Sequence, residues 1–88
     1  MKGELKNGFK FDVDPTILDD MELIDALAKV QGEDATAISV VVQKIFGEDQ
    51  RQALYDSVRT ENGRVPIQSV VNAVVEIFEA LGEAGKNR

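Results

Sequence analysis

Apolar and polar residues alternate from Met1 to Asp14 and then recur every three or four positions along most of the remaining chain. The first pattern has the period of a β-strand and the second that of an amphipathic helix. Within LKNGFKFDVD, Leu5 to Asp14, the pair Asn7-Gly8 marks a hairpin turn. A two-residue loop would set Leu5 on the face opposite Phe9, Phe11 and Val13. A three-residue loop, Lys6-Asn7-Gly8, pairs Leu5 with Phe9, Gly3 with Phe11 and Met1 with Val13. Met1, Leu5, Phe9, Phe11 and Val13 then share one face, and Lys2, Glu4, Lys10 and Asp12 share the other. A one-residue slip carries a strand's apolar set across the sheet, so the second register is predicted, with Gly8 left-handed in the turn. A lone hairpin is marginal in water, and this one must pack its apolar face on the helices.

The helical pattern divides into about four short segments. Asp14 and Pro15 suit the N-cap and first position of a helix, with Thr16 and Asp19 as a later competing cap. Its apolar stripe is read as Ile17, Met21, Ile24, Leu27 and Ala28, widened by Leu23 and Val30, with an end at Gly32. Asp34 caps a second segment bearing Ile38, Val41, Val42, Ile45 and Phe46. Strand competes there because SVVVQKIF is rich in β-branched residues, but the spacing favours helix. Gly47 stops it. A third helix spans about 49–59 around Leu54, Tyr55 and Val58 and ends in the Asn62-Gly63 turn. The fourth begins at Pro66 and runs to Leu81, ahead of Gly82.

Winding that last helix at 100° per residue collects Ile67, Val70, Val71, Val74, Phe78 and Leu81 on one side. Val75 lies at one edge, and Ala73, Ile77 and Ala80 at the other. The apolar arc covers roughly 220°, wider than the stripe of an ordinary surface helix. A central helix covered on most sides explains such an arc. An exposed edge used for protein binding explains it too, and Ala73, Val75, Ile77 and Ala80 are the candidate surface. The outer edge of the hairpin is a second candidate. The expected fold is mainly α (α+β): a compact four-helix bundle with an N-terminal hairpin over residues 1–14, forming one domain over 1–82, and a flexible tail over 83–88.

Composition narrows the chemistry. The 88 residues include no cysteine and no histidine. Thiolate metal sites and thiol nucleophiles are excluded, and Ser39, Ser57 and Ser69 lack the usual base of a hydrolase triad. The acids Asp12, Asp14, Asp19, Asp20 and Glu22 cluster in sequence, but no calcium-loop motif accompanies them, and caps and a solvated helix face account for each. Gly82 and Gly85 follow no strand and make no phosphate loop. The expectation is a non-enzyme without cofactor or metal. The net charge of −6 is uneven, with a balance of −5 over residues 1–34 and −1 over 35–88. An acidic surface disfavours nucleic acid and anionic membranes, whereas the nearly neutral second half suits a protein partner. The N-terminus lacks the apolar core of a signal peptide, and no apolar run approaches the length of a membrane span.

Several segments taken together carry a resemblance: ELKNGFKFDVD, LDDMELIDALA, GEDQRQALYDSVR, ENGRVPIQSVV and the closing VVEIFEALGEAGKN. Over residues 4–87 the chain resembles the small tail assembly chaperones of long-tailed bacteriophages and prophages of Gram-positive bacteria. The resemblance implies a mainly helical protein of the bacterial host cytoplasm, encoded between the tail tube and tape-measure proteins. It implies binding to the tape-measure protein, which is kept soluble, and recruitment of tail tube protein, with the chaperone absent from the finished tail. Many such chaperones are made in two lengths by frameshifting, and a chain ending GKNR would fit the shorter. A structural component of the tail or head–tail connector and a small protein-binding regulator are the alternative readings. Weak homo-oligomerisation through the last helix or the hairpin edge is expected from the small size and apolar edges.

Overall fold

The computed structural model describes residues 1–32, 34 and 36–86. Two strands, β1 (Lys2–Glu4) and β2 (Lys10–Asp12), form an antiparallel hairpin in which Lys2 faces Asp12, Gly3 faces Phe11 and Glu4 faces Lys10. This is the register of the three-residue loop. The Leu5 N–H donates to the Phe9 carbonyl at 2.8 Å, the Gly8 N–H donates back to Leu5 at 2.9 Å, and Gly8 has φ 91°. Asn7 completes the turn by accepting the Phe9 N–H on its side-chain oxygen at 3.0 Å. Leu5, Phe11 and Val13 are buried, with Met1 and Phe9 packed against the same core. The Phe9 ring meets Phe46 edge-on, with centroids 6.2 Å apart.

The chain enters the helices through two caps. Asp14 caps only a short 3₁₀ turn, Pro15–Leu18, by accepting the Thr16 N–H at 2.9 Å. Asp20 then caps the true first helix, α1 (Met21–Gln31), by accepting the Glu22 and Leu23 N–H groups. The helix therefore starts later than Pro15, and neither Thr16 nor Asp19 is its cap. Asp34 accepts the Thr36 N–H at 3.2 Å just ahead of α2 (Ala37–Val58).

The described residues form three helices, not about four. The segments expected on either side of Gly47 run together as α2, which bends there because Gly47 takes φ 75° and ψ 175°. That conformation belongs to glycine almost alone and is not helical, so Gly47 interrupts the helix where a stop was expected, and the second arm follows directly without a loop. The first arm buries Ala37, Val41, Val42, Ile45 and Phe46; the second buries Leu54. A turn closed by the Thr60 N–H on Arg64 leads to α3 (Ile67–Lys86). α3 continues past Gly82 to Lys86, where a tail from 83 was expected; residues 87 and 88 of that tail lie outside the described residues. α1 and α3 pack on α2, and one core joins all three helices to the hairpin.

The core corrects the stripe assigned to α1. Leu23 and Ala26 are buried and Leu27 and Val30 half-buried, whereas Ala28 is exposed and Met21 and Ile24 are 69% and 41% exposed. By helix winding, the apolar residues of α1 cover roughly 220°. A stripe centred on Met21 and Ile24 is as apolar as one centred on Leu23 and Val30, and packing on α2 selects the second.

Candidate protein-binding surface

α1 and α3 lie on either side of an open apolar groove of about 510 Å³. Leu27, Val30 and Gln31 of α1 form one wall, Val71, Val74, Val75 and Phe78 of α3 the other, and Ile38 of α2 also lines it; among the described residues Glu79 is the only charged one lining it. Burial explains why the groove stays open. α3 turns Val70, Ala73, Val74, Ile77 and Leu81 into the core. Its remaining apolar sector, Val71, Val75 and Phe78, has no described helix over it. On the other wall, helix winding places Ile24, Ala28 and Met21 next around α1 after Leu27. Exposed apolar surface thus continues from the groove onto the outer side of α1, where Leu18 is also 39% exposed.

The four residues proposed from sequence are divided by the fold. Ala73 and Ile77 are buried, Ala80 is half-buried, and Val75 is 48% exposed. Only Val75 lies on the groove, at its rim. Leu27, Val30, Val71 and Phe78, with Met21 and Ile24 beside them, are the residues the sequence reading left out of the site. The signal is present in the sequence, because α1 has as wide an apolar arc as α3, but an arc that wide reads equally well as core.

Two other concavities are lined by a mixture of apolar and charged residues. One, of about 450 Å³, lies between the hairpin turn and the opposite flank of α3, where Glu76 accepts the Lys6 N–H at 3.1 Å. Val75 and Glu79 border both it and the apolar groove. The other, of about 370 Å³, lies between α1 and the start of α2 and carries Glu22, Asp25, Lys29, Asp34 and Lys44.

The acidic cluster has a structural use. The backbone and hydroxyl hydrogen bonds from Thr16 hold the Asp14 carboxyl below its ordinary pKa. Partial desolvation works against Asp20, but the Lys44 ammonium at 3.3 Å and the two capped N–H groups leave its pKa lowered as well. Asp56 is lowered by Arg59 at 2.9 Å and by Gln52. None of the three faces the apolar groove.

No family model matches the chain, and neither a curated protein nor a solved structure matches it. No described helix is long and apolar enough to cross a membrane.

Proposed function

We propose that this protein is a tail assembly chaperone that binds apolar helical segments of a tape-measure protein, keeps that chain soluble, and helps bring tail tube subunits to it. The observation that carries the helix-binding part is the groove between α1 and α3. Its α3 wall, from Val71 to Phe78, is about 12 Å long at 1.5 Å per residue, the length of two turns. A partner helix presenting apolar residues at i, i+3, i+4 and i+7 fills such a groove, and its flanks rest on Met21, Ile24 and Val75. The assignment to phage tails rests on the resemblance of LDDMEL, ENGRVP and EIFEALGEAGKN alone.

Binding of this kind is reversible. The groove is open and almost wholly apolar along its described lining, so the partner is held by apolar area and shape. A long helical chain is thereby screened from aggregation and later released to the tube.

Coexpression with a tape-measure protein, the long helical chain that the resemblance places beside this gene, tests the proposal. The expected result is copurification and a larger soluble fraction of that protein. An unchanged soluble fraction with no complex overturns it.

A further inference from the structure

The two outer edges of the hairpin are not equivalent. Hydrogen bonds at Leu5–Phe9 and from Val13 to Met1 show that the odd-numbered residues bond across the hairpin. The N–H and C=O groups of Lys2, Glu4, Lys10 and Asp12 therefore point outward. On β2 this edge is closed. The Gln50 side chain accepts the Asp12 N–H at 2.7 Å and donates to the Asp12 carbonyl at 2.6 Å. It also donates to the Phe46 carbonyl at 3.1 Å, which braces it on α2. An amide on a helix thus takes the place of a neighbouring strand. On β1 the corresponding edge at Lys2 and Glu4 is exposed, and among the described residues the cover begins only at Lys6, whose N–H is taken by Glu76.

We propose that the open edge of β1 pairs antiparallel with the same edge of a second copy of this chain, about a two-fold axis at Gly3. Charge complementarity selects that occupant. In this register Lys2 of each copy stands opposite Glu4 of the other, and the two glycines face each other on the axis. The outward N–H and C=O groups of Lys2 and Glu4 are those that such a pair bonds. The polar face of the resulting four-stranded sheet reads, in one row, Lys10 and Glu4 of one copy, then Lys2 and Asp12 of the other. Every neighbour in that row is of opposite sign, and symmetry repeats the row in reverse. Opposite charges across a strand pair attract, and like charges facing each other are destabilising. The β2 edge has the same charge sequence, but Gln50 already occupies Asp12. With so short a strand the dimer is weak and forms at high local concentration. It leaves the apolar groove free, so it stands or falls separately from the chaperone reading.

The test is a sedimentation series on the full chain from micromolar to millimolar concentration. The variants are K2E, E4K, the double variant K2E/E4K, and an equimolar mixture of the two single variants. Wild type associates toward the top of the range. Each single reversal weakens association by roughly tenfold, and both the double variant and the mixture recover it. E4K separates pairing from bulk charge, because it makes the chain less acidic and would strengthen unspecific association. Since K2E also sets a second carboxylate opposite Asp12 in its own hairpin, and E4K a second ammonium opposite Lys10, a further measurement uses wild type alone. In a half-isotope-labelled sample, Gly3 Hα of one copy shows an Hα–Hα contact with Gly3 of the other. A chain that stays monomeric to millimolar concentration, an E4K variant that associates as well as wild type, or absence of the Gly3 contact in the associated state overturns the proposal.

Discussion

At Gly47 the chain turns through a backbone conformation that a side chain disfavours, although nothing stands within 4 Å of where a Cβ would be. The cost of substitution there is torsional and not steric. G47A is expected to lower stability by about 1–3 kcal/mol in chemical denaturation. The gain in helix propensity from alanine offsets part of this only if α2 straightens, and straightening pulls Leu54 away from the core that Val41 and Val42 share. Loss of the Tyr55 environment, followed by fluorescence, reports whether that happens. The same residue shows what the sequence could and could not convey. A glycine in the middle of a helical pattern marks an interruption reliably. Whether the helices on either side continue as one bent rod depends on φ and ψ, and composition does not encode them.

The elements differ in how legible they were. The hairpin was readable to the register because a period of two leaves only one pairing that keeps Leu5 with Phe9, Phe11 and Val13. α1 was readable as a helix but not in orientation, since an apolar arc of roughly 220° offers more than one stripe to the core. The site inherited that ambiguity. Ala73 and Ile77 were offered to a partner and went inside, while Met21 and Ile24 were offered to the core and lie outside. The entry to α1 is fixed more firmly, by Asp20. Its folded pKa lies below the ordinary aspartate value of about 3.9, so its contribution is present above that pH and is lost as pH falls through the lower folded value. Asp14 and Asp56 act in the same direction. Thermal stability should therefore decline as pH drops below about 4. D20N, followed by thermal melts across that range, should flatten the decline by comparison with wild type; an unchanged slope would assign the acid sensitivity to other groups.

For the whole molecule, the uncovered groove is the property that separates this fold from a closed three-helix bundle. Small proteins seldom leave a contiguous apolar surface without a use. V75D and I24D place a charge on either shoulder at positions already exposed, where substitution changes stability by about 0.5 kcal/mol or less. Both variants should melt within a few degrees of wild type and lose capture of the coexpressed helical partner. Retention of the partner by both would move the binding surface away from the groove.

The amide of Gln50 that closes the β2 edge also ties the order of folding to the order of synthesis. Asp12 and Gln50 lie 38 residues apart in the chain. Phe9 waits for Phe46, and Lys6 for Glu76, which is 70 residues away. The hairpin is made before any of these partners and is too small to hold its shape without them. It precedes the helices in the chain, and until they are in place its alternating apolar face is open to the surrounding ribosome-bound chains. On the chaperone reading proposed above, the protein would itself pass, during its synthesis, through an interval in which it needs the protection it gives.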